Sequence, residues 1–164
     1  KDTTTTLGRS RQAMARAVAV ARQEIRGFSI HQTSVEEARA IFANLEPRGR
    51  EMLEGNLINR DLCRQAHELL QTEAPDVEVL GRLLLAHHEQ LSRSIQVSTE
   101  KIDRMVEASV AAGALGAKIN GSGGGGCMFA LAPGRQAEVA EAIESAGGKA
   151  HIVASHPGLT VTAE

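Results

Sequence analysis

The stretch Gly121, Ser122, Gly123, Gly124, Gly125, Gly126 constrains this chain more than any other. Five of its six residues are glycine, and it lies between two short apolar runs, residues 115–120 and 127–131. Both flanks are too short for helices and read as strands, so the glycines are predicted to connect a hairpin. An ordinary hairpin needs about 2–5 loop residues and one or two glycines. Four glycines in a row exceed that need, and each costs roughly 0.5–1 kcal/mol of backbone entropy relative to alanine when fixed. Close approach of bare backbone N–H groups to an anion, with no Cβ in the way, would offset that cost. Two plainer readings stand beside it: a loose turn, and glycines that let another segment pack closely. The stretch is neither a Walker-type loop nor the dinucleotide fingerprint, because both of those open a helix. Here a strand follows.

At 164 residues the chain is long enough for one domain with a real core. A net charge of −2 gives no basic footprint for nucleic acid or an anionic membrane. Three Phe, with no Tyr and no Trp, remove the stacking platforms that single-stranded nucleic acid wants. Cys63 and Cys127 suggest neither a disulfide framework nor a Cys-based metal site, so a reducing cytoplasm is expected. Cys127 itself reads as a small core residue. No apolar run approaches the roughly 20 residues of a membrane span, and no signal peptide is visible. The chain opens on Lys1 without a methionine and reads as a piece of something larger.

Taken in order, residues 1–6 are polar and hold several candidate N-caps. Met14, Val18, Ala21 and Ile25 fall at helical spacing, with Gly27 as the stop. Ser34 and Glu37 form a capping box opening a second helix to about Leu45, and Pro47 and Gly49 break the pattern. A long helix is predicted from about Arg50 to Thr72, and another from Asp76 through Arg93. On the latter, Leu80, Leu84, His87 and Leu91 make one stripe, so His87 reads as a packed histidine with His88 toward the edge of the same face. Ser98 or Thr99 caps the next helix, whose apolar face holds Ile102, Met105, Val106 and Val110 and whose solvated side holds Glu100, Asp103, Arg104 and Glu107. After the glycine hairpin, Pro133 and Gly134 open a helix to about Ala146. Residues 151–154 and 159–162 read as two last strands. The order is five helices, then β-β-α-β-β, an α+β arrangement with a sheet of about four strands backed by helices on one face.

Gly116-Ala117-Lys118-Ile119-Asn120-Gly121-Ser122-Gly123-Gly124-Gly125-Gly126-Cys127 resembles the third signature motif of the GHMP small-molecule kinases. That superfamily includes galactokinase, homoserine kinase, mevalonate kinase and phosphomevalonate kinase. Leu85-Ala86-His87-His88-Glu89-Gln90-Leu91, Val97-Ser98-Thr99 and the segment from Ala111 to Ala117 are similar to the galactokinase pattern, as is, less closely, the segment from Arg48 to Asn56. Pro157-Gly158-Leu159-Thr160-Val161 resembles the close of mevalonate kinases. The match runs over nearly the whole of residues 1–164, but only to the C-terminal half of such an enzyme. The phosphate loop Pro-x-x-x-Gly-Leu-x-Ser-Ser and the catalytic Asp belong to an N-terminal half, and neither is in this sequence. Two departures stand out: galactokinases usually carry Phe within the glycine motif and a Tyr soon after the position of Lys1. An all-glycine loop is more like mevalonate kinase.

The resemblance implies a ferredoxin-like C-terminal domain, a four-stranded antiparallel sheet with helices on one face plus additional helices. It also implies that residues 121–126 lie near the ATP phosphates, with Mg2+ held mainly by the N-terminal half, and that this chain alone is inactive. Ser122 offers a hydroxyl donor there. Asp2 and Thr3 resemble the family's Lys/Arg-x-Thr segment at the lip of the substrate cleft, or they cap a helix. Lys118 can reach a phosphate, but on an alternating strand it more often pairs with an acidic residue. No His, Asp or Glu cluster has metal-ligand spacing. The partners implied are a small-molecule substrate and the N-terminal kinase half; nucleic acid and membrane are not expected, and a homodimer is compatible. The acceptor reads as a sugar, with mevalonate as the alternative. A stand-alone ligand-binding or regulatory module is the reading from a different class.

Overall fold

The computed structural model describes residues 3–154. Helix α1, Thr3–Glu24, buries Ala13, Ala17 and Ala21, one per turn. These small side chains bring its backbone close to helix α3, Pro47–Leu70. A Cβ on Gly49 would stand 3.3 Å from that of Ala17. Met14 and Ile25, expected on the buried face, are only partly covered. Between the two lies α2, Val35–Arg39, where the capping box forms: Ser34 Oγ accepts from Glu37 N, and Glu37 Oε2 accepts from Ser34 N at 2.7 Å. The helix expected to reach Leu45 ends at Arg39 and gives way to a 3-10 turn, Phe42–Asn44. Conversely α3 starts at Pro47 rather than Arg50. The first helical turn needs no N–H donor, so Pro47 opens the helix instead of breaking it. Ala17, Ala21, Ala38, Ile41, Leu45, Leu53 and Leu57 form the first core cluster.

Helix α4, Val77–Glu89, is capped by Asp76, which accepts from Glu78 N and Val79 N. It runs on into a π-helical turn, Gln90–Ser94. Helix α5, Glu100–Ala111, has Thr99 as its cap. Strands β1, Gly116–Asn120, and β2, Cys127–Leu131, pair antiparallel from Gly116 opposite Leu131 to Asn120 opposite Cys127. Helix α6, Gln136–Ser145, follows, starting at Gln136 rather than at Pro133 and Gly134. Ile102, Met105 and Val106 of α5 pack on Ala117 and Ile119, with Met128, Ala130 and Ile143 around them. Alternation along the strands places those hairpin side chains on one face.

Helix α4 runs beside β1. Gly81 meets the Leu115–Gly116 backbone at one end, and His88 meets Ile119 at the other. Seven helical residues and three strand residues both span about 10 Å, so the two elements keep step. Among the described residues the sheet has two strands. Residues 151–154, expected as a third, join no ladder, and Ile152 and Val153 are 64% and 85% exposed. A strand needs a partner, and the one expected for it, 159–162, lies outside the described residues. Cys127 is exposed rather than in the core, because alternation puts it with Phe129 on the face opposite Met128 and Ala130, which pack on the core. No helix of the described residues is long and apolar enough to cross a membrane.

Candidate functional site

All five loop glycines hold positive φ: 84° at Gly121, 83° at Gly123, 77° at Gly124, 129° at Gly125 and 87° at Gly126. An L side chain costs roughly 1–2 kcal/mol in such a conformation, so the loop's path requires this composition. The glycines divide into two kinds. At Gly123 an added Cβ would run into the carbonyl oxygen of Val97 and stand 2.6 Å from its Cβ. Next to it, Gly124 N donates to Val97 O at 2.7 Å. Close packing of another segment is therefore real at this point of the loop. At Gly121, Gly125 and Gly126, nothing lies within 4 Å of an added Cβ. That side of the loop is open backbone.

The turn that grips the loop is itself held firmly. Gln96 sits at φ 60°, a left-handed conformation that a non-glycine residue keeps only when its surroundings impose it. On one side Val97 N donates to Leu91 O at 2.9 Å, a link back into the π turn. On the other, Ser98 Oγ donates to Asp103 Oδ1 at 2.6 Å. The same carboxylate accepts from Ser92 Oγ at 2.9 Å and lies 3.1 Å from His88 Nε2. His88 Nδ1 accepts from Ile119 N at 3.3 Å. Because Nδ1 faces a donor, the ring proton is assigned to Nε2, where it points at Asp103. From the other side, Arg48 on α3 donates to Ser94 O and Ile95 O at 2.6 and 2.7 Å, closing the C-terminal end of the π turn.

Burial shapes the electrostatics. His88 is 7% exposed; desolvation pushes its pKa down, Asp103 pulls it up, and Lys118 opposes the imidazolium. His87 is pushed down to about 4 by burial, then by Lys118 and His88, and its buried Nδ1 has no protein partner. Lys118 is also held below its ordinary range by burial. Its ammonium donates to Ile119 O at 2.8 Å and stands 5.4 Å from the Phe129 ring centre, turned to its own hairpin.

The sequence singled out the loop and missed its support. Asp103 was placed on the solvated side of α5, yet it collects three polar groups. An acidic residue in a helix's first turn is ordinarily explained by the helix dipole, which hides any further role. Ser98 is not the cap of α5; Thr99 is, which frees the Ser98 hydroxyl for Asp103. Of the two histidines, His88 is the packed one. The pattern that exposes the group is two serines flanking a helix-to-helix turn, with an aspartate one turn into the next helix. Asp2 lies outside the described residues, and the backbone of Thr3 opens α1.

Residues 65–149 match the family model for the GHMP kinases C-terminal domain. The chain belongs to that family. The mevalonate kinase of Thermococcus gammatolerans is 40% identical over 126 residues, 74% of this chain and 37% of that protein. The mevalonate kinase of Pyrococcus abyssi is 55% identical over 69 residues, 42% of this chain and 20% of that protein. The galactokinase of Mycobacterium tuberculosis is 42% identical over 72 residues, 43% of this chain and 20% of that protein. The chain thus spans under two fifths of the length of these relatives. The crystal structure of Lactococcus lactis galactokinase complexed with galactose superposes with a TM-score of 0.68 at 24% identity, covering 88% of this chain and 38% of that one. At that identity the likeness speaks for the fold of this GHMP kinase domain alone.

Proposed function

We propose that this GHMP kinase domain is the C-terminal part of an ATP-dependent kinase that transfers the γ-phosphoryl group of ATP to a hydroxyl of a small metabolite. One observation carries the reading: a loop of left-handed glycines clamped at Gly123 and Gly124 and open at Gly121, Gly125 and Gly126. Phosphoryl transfer needs positioning and charge stabilisation more than covalent chemistry. Backbone N–H donors without Cβ cover, held by a fixed turn, suit a phosphate, and Ser122 adds a hydroxyl. ATP would thus lie against residues 121–126, with Asp2 and Thr3 on the acceptor side. Among the described residues no group of three His, Cys, Asp or Glu side chains could hold a metal ion; the reading assigns Mg2+ mainly to the N-terminal kinase half. The chain alone is then not expected to turn over substrate. The four-stranded ferredoxin-like sheet, a cytoplasmic location and a homodimer belong to the same proposal.

The acceptor we favour is mevalonate. The similarity to a mevalonate kinase runs over 74% of the chain, that to a galactokinase over 43%. A sugar is the second reading, supported by the galactokinase-like segments around Arg48 and Ala86.

Gly126→Asn in the full-length enzyme tests the loop. Asparagine tolerates the left-handed region, so the backbone should hold, while its side chain enters the open space. The expected result is kcat/KM for MgATP lowered at least about tenfold, ~1.4 kcal/mol of transition-state binding, with an unchanged melting temperature. Normal MgATP kinetics would favour the loop as a turn only, and with it the regulatory-module reading.

A further inference from the structure

We infer that Asp103 is the positioning residue of the glycine loop, holding through Ser98 and Ser92 the turn whose Val97 carbonyl clamps Gly124. The inference deepens the reading of residues 121–126 as a phosphate-contact loop and rests on it.

The argument runs along the hydrogen bonds outward from the carboxylate. Oδ1 accepts from Ser98 Oγ and lies within reach of His88 Nε2, while Oδ2 accepts from Ser92 Oγ. One side chain of α5 therefore holds the end of α4, the π turn and the turn 96–99 at once. Hydrogen bonds to a carboxylate are the stronger kind, roughly twice a neutral pair. Gln96 stands between Ser92 and Ser98, both tied to Asp103, and the residue after it, Val97, is tied through its N–H to Leu91 O. The left-handed φ of 60° at Gln96 is the stored cost of that arrangement. If Asp103 lets go of Ser98, the Val97–Ser98 peptide, which carries the Val97 carbonyl, loses its anchor, and Gln96 before it is free to relax to negative φ.

The loop has to follow, because its two contacts with the turn both end on Val97. Gly124 N donates to Val97 O, and the Gly123 backbone lies so close to Val97 that no Cβ fits between them. A rotation of the Val97 peptide breaks the first contact and alters the second. The same carboxylate also reaches β1, through His88 to Ile119 N, so it fixes the strand leading into the loop as well as the turn beneath it. The hydrogen bonds of Asp103 go to Ser98, Ser92 and His88 rather than to the loop, on which it acts through Ser98 and Val97.

The test uses the full-length enzyme with Asp103→Asn, Ser98→Ala and Ser98→Thr, followed by amide hydrogen exchange across residues 120–128 and by steady-state kinetics. In Asp103→Asn the Gly124 amide is expected to exchange at least about tenfold faster. KM for MgATP should rise about fivefold or more, with KM for the phosphoryl acceptor within about twofold of wild type. Ser98→Ala should move both readouts in the same direction, and Ser98→Thr, which keeps the hydroxyl, should restore them. Ser98→Ala also decides the matter if Asp103→Asn does not fold. Unchanged Gly124 exchange in a folded variant overturns the inference, as does a loss of melting temperature with both KM values rising together. If Gly126→Asn impairs MgATP kinetics while Asp103→Asn changes nothing, the inference alone fails. If exchange accelerates but neither variant alters MgATP kinetics, the phosphate-contact reading has failed and takes the inference with it.

Discussion

His87 and His88 show how two adjacent residues of one type can serve one stability term by different routes. His88 spends both nitrogens on partners, and its Nδ1 must stay unprotonated to accept from Ile119 N. His87 has no protein partner at its buried Nδ1 and resists protonation mainly through desolvation. Both pKa values lie below the ordinary 6.5, so as pH falls through 6.5 the unfolded chain binds protons first and the fold loses stability. The contribution is complete above about pH 7, and for His87 the loss continues down to about pH 4. Glu37 and Asp61 are held below their ordinary 4.5 and 3.8, so their share is lost only at lower pH. The histidines therefore own the window from 6.5 to 4.5. His87 alone would cost up to about 2 kcal/mol between pH 7 and pH 5, less to the extent that its ring is exposed. Denaturant titrations at those two pH values should show wild type weaker at pH 5, with His87→Gln flattening the difference. Equal wild-type stability at both would refute this. Such pairing was not legible in the sequence: a stripe at helical spacing names which face is buried, yet His87 and His88 sit close enough to the stripe's edge that only the position of Ile119 decides between them. The glycines were legible because no other residue type tolerates their φ. Asp103 was not, since its partners lie on the preceding turns and its spacing is that of any first-turn acid.

At the scale of elements, the fit of α4 against β1 depends on two glycines facing each other. A Cβ on Gly81 would strike the Leu115 carbonyl, with the Leu115 carbonyl carbon at 2.6 Å, and one on Gly116 would strike the Gly81 backbone. Within a helix, glycine to alanine ordinarily gains about 1 kcal/mol. Here the obstacle is backbone, which cannot swing aside as a side chain would, and overpacking of this kind costs roughly 1–3 kcal/mol or more. The clash should win. Gly81→Ala is expected to lower stability by about 1–2 kcal/mol net in urea unfolding; a stabilised variant would mean that α4 can pull away from β1 freely. This contact also explains which parts of the fold could be read in advance. Helices with caps and apolar spacing, such as α4 and α5, and the hairpin with its glycine connection are specified by their own residues. The π turn Gln90–Ser94 is not. It forms where Gly55 of α3 leaves room for Ser94, a Cβ there standing 2.6 Å from that of Ser94, and where Arg48 takes the two free carbonyls. Those are contacts between segments some 40 residues apart, and local pattern carries no trace of them. Residues 151–154 differ from expectation for a related reason: they have strand composition, but a strand exists only with its neighbour.

For the whole molecule, the proposed function leads to the choice of acceptor, and the aromatic inventory bears on it. A sugar ring usually gains from an aromatic face, and this chain has only Phe28, Phe42 and Phe129 to offer. Phe28 and Phe42 pack against the first core cluster, and Lys118 stands over Phe129. An acyclic hydroxy acid has no ring to stack and is recognised through its carboxylate and hydroxyls, so it asks for no aromatic face from this chain. Hydrogen-bonded recognition discriminates strongly, because a substrate that leaves a buried donor or acceptor unmatched forfeits about 1–3 kcal/mol for each. On the proposed function, the full-length enzyme should therefore phosphorylate mevalonate with kcat/KM at least about 100-fold above any aldose, a gap of ~2.7 kcal/mol. Both acceptors, measured at saturating MgATP in the same preparation, decide the point. Faster turnover of galactose would show that the galactokinase-like helices around Arg48 and Ala86 report the acceptor better than the glycine loop and the longer similarity to mevalonate kinases do.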